Sequence, residues 1–451
     1  MKPNEFEEMN PIIENARLGS YLIIPLKLDE HSLHQEWIDS NCQKQTLTTM
    51  DLNEQIKAMF HPDNPVASGI NYTIPINILI DEIYKNAADY SSNITNELPL
   101  FAVIHKESTT SEIDWIKNQF LIQSLHLSVF HTNVAFLTLG ICYHEMNTLL
   151  RLINPGYADS ISKYYYKNKN EEIHTFSLDE ALRSILDKIG LNSFFQTGNS
   201  LFLEAFTYNV AIVSERFNHM DTIQRITFNM HRMTPLTLSV SDSSEADVNF
   251  VYAVRDQVLK TYRWGTCVSS QTISYVVADS EMNLEKEMQT QAEDGLPIVL
   301  LALYEKYTCL HFTELLSLVN TKQMRPLRDL KKQMLEFKAF GTVHPANISR
   351  WHNVKMIYQY LVDTNGIMEA IEDINTKITI LSEHQNEISS HRTNTIMGLI
   401  TIFGVVSILA SILSIIEILN DGHIYEWLLT LIISLIMIVI SWVAYIWEQK
   451  R

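Results

Sequence analysis

Apolar positions along the chain change their spacing twice. Short runs rich in Ile, Leu, Val and Phe fall at residues 21–28, 100–105, 134–142, 210–213 and 274–278, and their length and composition predict strands. Helical signals alternate with them. Ser111 with Asp114 reads as a capping box opening a helix through Ile122, and Ser177 with Glu180 opens another that stops at Gly190. Residues 297–318, with Pro297 in the first turn, and residues 324–340 read as two further helices. This order predicts an α/β (or α+β) domain over residues 1–290 and a helical segment over 291–345.

Beyond residue 346 the spacing becomes a heptad seam: Ile367, Ile371, Ile374, Ile378, Leu381 and Ile388. Gln385 and Arg392 occupy its continuation, so the seam changes character toward residue 395. No Pro interrupts residues 347–419, and Gly366 is the sole glycine before residue 396. One stalk helix over 346–395, running without a break into the apolar residues from 396, is therefore expected. A narrow seam on so long a helix finds few partners within one chain, which predicts a homo-oligomer.

Residues 396–416 and 427–447 each run for 21 positions without a charged side chain, matching the ~20 residues that cross ~30 Å of hydrocarbon. They predict a two-helix transmembrane hairpin in the lipid bilayer, with a ten-residue outer loop over 417–426 and a basic tail over 448–451. Trp427, Trp442, Tyr445 and Trp447 suit the headgroup region. Lys377, Arg392, Lys450 and Arg451 flank the spans and the loop has no Lys or Arg, so both termini are expected on the cytoplasmic side of the inner membrane. Glu417, Asn420, Asp421 and Glu426 would then line an acidic outer mouth able to concentrate cations. Asn394, Thr401, Ile408 and Ile415 recur every seven residues, with Met397, Gly404 and Ser411 as a companion row. In a symmetric ring these rows would line a pore. The alternative is that Gly404, Ser407, Ser411 and Ser414 let membrane helices pack closely.

Composition adds limits rather than chemistry. With 46% apolar and 19% charged residues the chain is not disordered. Its 34 Lys+Arg against 52 Asp+Glu give 34 − 52 = −18, which argues against direct nucleic-acid binding. Cys42, Cys142, Cys267 and Cys309 form no Cys-x-x-Cys pair. Residues 1–10 hold three Glu and no apolar run, so no secretory signal is read there. Gly-x-Gly, phosphate-loop, Gly-x-Ser-x-Gly and His-Glu-x-x-His motifs are absent, and a non-enzyme is expected. His231-Arg232 and Tyr262-Arg263-Trp264 offer cationic and aromatic surfaces for an anionic, base-containing ligand, with a salt-bridged Arg beside a buried Trp as the structural alternative.

A cytosolic α/β domain, a stalk helix that becomes the first span, a short outer loop, a second span and the tail Lys450-Arg451 together resemble the CorA family of divalent-cation transporters. The likeness covers mainly residues 351–451. It implies a funnel of five chains, a homopentamer with the first span around the pore, and Mg or another divalent cation as cargo. The family's Gly-Met-Asn signature is missing: the chain reads Ile416-Glu417-Ile418-Leu419-Asn420-Asp421-Gly422, where Asn420 alone stands in. Its loss makes the chain similar to the divergent CorA-like membrane effectors beside type III CRISPR systems. That resemblance implies an antiviral ion channel gated by a nucleotide second messenger bound to the cytosolic domain. A housekeeping divalent-cation transporter and a membrane-tethered scaffold are the other readings.

Overall fold

The computed structural model describes residues 16–28, 33–46, 52–60, 69–85, 100–105, 115–154, 162–167, 173–194, 200–236, 248–318 and 324–421, with Ile432 and Leu435. The chain divides into two units, residues 1–315 with 332–374, and residues 316–331 with 375–451.

The first unit is built on one 13-stranded sheet. Its strands are β1 (Arg17–Leu28), β2 (Gln43–Gln45), β3 (Gly69–Thr73), β4 (Leu100–His105), β5 (Gln119–Phe130), β6 (Val134–Tyr143) and β7 (Ser162–Lys167). They continue as β8 (Ile173–Phe176), β9 (Leu191–Ser193), β10 (Phe206–Val213), β11 (Asn249–Asp256), β12 (Thr261–Val268) and β13 (Thr272–Ala278). The main order is β11-β12-β13-β10-β1-β6-β5-β4-β7-β8, with β3 and β9 joined to β5 and β1 and β2 to β3. Among the described residues every pairing is antiparallel except β10 with β13. The five predicted strand runs all lie in this sheet. β1, β6 and β10 are buried on both sides, which is why they read as unbroken apolar runs rather than alternating ones.

Helices supply that cover. The helices α1 (Gln35–Asn41), α2 (Glu54–Met59), α3 (Ile76–Lys85) and α4 (Trp115–Asn118) are followed by α5 (Met146–Ile153), α6 (Leu178–Ile189) and α7 (Met220–His231). Residues of α3, α5, α6 and α7 close a core with Leu22, Leu137, Leu139, Ile141, Ala211 and Val276 of one sheet face. The opposite face meets α8 (Leu284–Asp294) and α9 (Leu296–Leu318). There the Tyr21 hydroxyl donates to the Met288 carbonyl at 2.6 Å, and the Phe130 and Tyr304 rings stack at 4.3 Å. The result is helix, sheet, helix, followed along the chain by α10 (Met324–Glu336), α11 (His352–Thr364) and α12 (Ile367–Asp421).

Local signals were decisive for α6. Ser177 accepts from the Glu180 amide at 3.2 Å and Gly190 closes the helix at φ 83°, as the capping pattern predicts. A helix through Ile122 is not what forms. Among the described residues of that stretch Trp115–Asn118 is helical, and Gln119 already pairs with Ala102 of β4, because Phe120, Ile122, Leu125 and Leu127 bury themselves as a strand beside β6. Ser111 and Asp114 lie outside the described residues.

The single stalk helix expected over 346–395 is also corrected. Phe337–Gly341 is a π-helical turn, Pro345–Asn347 a 3₁₀ turn, and α11 ends before α12 begins. The break is a C-cap. Gly366 takes φ +59°, and the Asn365 side-chain Nδ2 donates to the Leu361 carbonyl at 2.8 Å. Past it α12 runs for 55 residues, roughly 80 Å at 1.5 Å per residue, and reaches Asp421, beyond the end expected at Ile416.

Candidate functional site

The apolar half of α12 is the first candidate. Ile367–Ile416 is long and apolar enough to cross a membrane by length and composition, and its most apolar window is buried nowhere in the chain. The second predicted span, 427–447, lies outside the described residues apart from Ile432 and Leu435.

Exposure around this helix is uneven, and the unevenness sorts the predicted rows. Ser407 and Ala410 are half-buried and Ser414 is only 9% exposed. With Ile396, Ile400 and Phe403 they form one stripe, since about 100° separates successive residues. The rows predicted to line a pore stand to the side of that stripe. Asn394, Thr401, Gly404 and Ser411 are exposed, as are Met397 at 62%, Ile408 at 61% and Ile415 at 53%. Small residues therefore divide: Ser407 and Ser414 sit under cover, whereas Gly404 and Ser411 do not. Thr401 donates to the Met397 carbonyl at 2.7 Å and Ser411 to the Ser407 carbonyl at 2.8 Å. Each hydroxyl is thus satisfied within the helix, the condition for a polar group to sit in hydrocarbon. Glu417, Asn420 and Asp421 fall in the last turns of α12, their side chains outside the described residues, and Glu426 lies outside them altogether.

The stalk seam is already occupied within one chain. Ile367, Ile371, Ile374, Ile378 and Gln385 are buried. In the second unit Leu327 and Leu330 are buried too, and Lys331 donates to Ser382 at 3.3 Å, so α10 lies beside the stalk. Part of the seam thus finds cover within one chain. The exposed residues between Met397 and Ile416 do leave an apolar surface that no described residue covers.

The four residues expected to hold an anionic ligand do not converge. A Cβ at Gly265 of β12 would meet Ile223 of α7, so that position faces the helix ending at His231. The neighbouring Trp264 points the other way, its ring 5.6 Å from Tyr275, which hydrogen-bonds Glu287 of α8. Arg263 acts on the same Tyr275 hydroxyl. The sheet separates Arg263 and Trp264 from His231 and Arg232. Burial and the adjacent Arg232 push His231 down to about 4, so its imidazole is neutral at pH 7 and offers a phosphate no charge. Arg232 lies 5.8 Å from the Phe228 ring. Among the described residues no group of three His, Cys, Asp or Glu side chains is placed to hold a metal ion.

One buried constellation escaped sequence reasoning. Glu305 of α9 is 1% exposed, and its Oε1 accepts from the Tyr358 hydroxyl of α11 at 2.8 Å and the Val343 amide at 3.0 Å. Tyr304 beside it packs edge-on against Phe337 of the π-helical turn at 5.7 Å. Burial pushes the Glu305 carboxyl up to about 8, although both hydrogen bonds oppose the shift. The sequence signal was a lone acid at the end of a nine-residue apolar run, 296–304.

Comparison with known proteins gives no match to any family model and no significant similarity to a curated sequence.

Proposed function

We propose that the chain is one subunit of a homo-oligomeric CorA-like membrane channel effector, gated by a nucleotide second messenger bound to its cytosolic α/β unit in antiviral defence of the type III CRISPR kind. The observation that carries this reading is the uncovered apolar half of α12, which needs lipid, sibling helices or both around it. In this reading residues 427–447 return across the bilayer, both termini stay inside, and five copies set Thr401, Ile408 and Ile415 around an axis. Messenger binding biases the ring only through unequal affinity for closed and open arrangements. With His231 neutral, the arginines supply the charge for an anionic, base-containing ligand, and Arg263 has the Trp264 ring beside it in sequence for the base.

The test is ion flux from liposomes holding the full chain. Thr401→Leu and Ser411→Leu should each lower flux at least tenfold while particle size stays constant. Unchanged flux in both overturns the pore assignment. Function retained when the hairpin is replaced by an unrelated anchor would favour the scaffold reading instead.

A further inference from the structure

We propose that Glu305 is a proton-operated latch: protonated, it holds α11 to α9 through Tyr358 and Val343, and ionised, it loosens the segment that leads into α12. The inference stands whether or not α12 lines a conduit. Its ground is geometric. Three pieces of chain distant in sequence meet on one carboxyl oxygen: α9, the stretch after the π-helical turn, and α11. The Tyr358 hydroxyl also lies 3.3 Å from the Val343 carbonyl, so the same phenol braces the connecting backbone. Two backbone irregularities flank the site, the π turn before Val343 and the left-handed Gly366 after α11.

Among the described residues no cation is paired with this carboxyl. From α9 it faces Tyr304 and Cys309, whose thiol its charge pushes up together with burial. From α11 it faces Tyr358, likewise pushed up. His131, on the β5–β6 turn, reaches Tyr304 at 6.4 Å, and Thr132 of that turn hydrogen-bonds Thr308 of α9 at 2.8 Å. His344, next to Val343, turns its Nδ1 to the Ala346 amide at 3.2 Å. Hydrogen bonds alone meet the charge, which is why the carboxyl holds its proton to about 8. An opened, hydrated Glu305 returns to an ordinary carboxylate value near 4.5. The closed state therefore binds the proton more tightly, so opening becomes easier as pH rises from about 4.5 and levels off above about 8.

Hydrogen exchange of the full chain in detergent tests this. Protection of the α11 amides, divided by that of α6 to cancel intrinsic rates, should fall by up to tenfold per pH unit between pH 5.5 and 8. Glu305→Gln keeps the acceptor, cannot ionise, and should give a flat profile. Tyr358→Phe removes a donor that favours the carboxylate, so its plateau should move to higher pH. Identical profiles for wild type and Glu305→Gln overturn the latch. Should Glu305→Gln fail to fold, Tyr358→Phe decides: a plateau that stays or moves down overturns it.

Discussion

Two long apolar helices of this chain have opposite surroundings. In α9, residues 296–305 are buried without exception, with Leu301 at 0% exposure. In α12, Leu409 is 54% exposed and Ile408 61%. Composition barely separates them, since both run apolar all round rather than along one stripe. What differs is the partner each finds. The sheet gives α9 Phe130 and Phe136 to lie against, with rings at 4.3 and 5.8 Å, whereas the apolar half of α12 leaves most of its circumference uncovered. An apolar helix inside a folded unit contributes to its stability; the same kind of helix without cover states what environment it lacks.

Leu301→Ala and Leu409→Ala break or sharpen that contrast most directly. The first removes a fully buried side chain and should destabilise the α/β unit by about 2–5 kcal/mol, the second by no more than about 0.5 kcal/mol. Near-ultraviolet circular dichroism of the full chain in detergent during urea unfolding reads both. Equal costs would mean that the α/β unit depends on Leu409 as it does on Leu301. A smaller effect is expected at the joint. A Cβ at Gly366 would find Glu369 Oε2 no nearer than 3.9 Å, so Gly366→Ala meets strain rather than a clash. At φ +59° that strain should cost about 1–2 kcal/mol. Gly366→Asn should cost less, because Asn tolerates left-handed backbone. Exchange at α11 and the start of α12 measures it, and an equal loss in both variants would show that φ is not the cause.

What could be read from the sequence was what local chemistry decides. The ends of α6 follow from Ser177 and Gly190, and the strands from apolar runs that need only burial. The start of β5 was hidden because pairing with β6, from Phe120 opposite Tyr143 onward, outweighs the helical signal of residues 111–122. Asn365-Gly366 was a legible stop signal, but helical spacing on either side masked it. The division of the expected ligand residues between two sheet faces was hidden for a deeper reason. Which face Trp264 takes depends on the register irregularities beside Ala253 and Val254 and on α7 lying over Gly265, none of which spacing reveals. Glu305 was visible as an anomaly, but its partner Tyr358 stands 53 positions away.

The smallest effect separates two of the buried carboxylates of the covered unit, Glu82 and Glu305. Glu82 of α3 is 5% exposed, as shut away as Glu305, yet it meets Lys188 at 2.5 Å, Lys85 at 2.8 Å and Ser184 at 2.7 Å. Burial alone would push its carboxyl up; the hydrogen bonds from Lys188, Lys85 and Ser184, with the Lys188 charge, override it and hold the group at about 2. The sign is thus opposite to that of Glu305. Stabilisation from Glu82 is complete above about 4.5 and is lost as pH falls toward about 2. Because the two lysine side chains are 38% and 53% exposed, screening reduces it to about 1 kcal/mol, less at high salt. Glu82→Gln should flatten the acid limb of a stability-against-pH curve and leave the limb between about pH 5.5 and 8 untouched. Glu305→Gln should do the reverse. One substitution moving both limbs would show the two carboxylates to be coupled and would remove the assignment of each limb to a single residue.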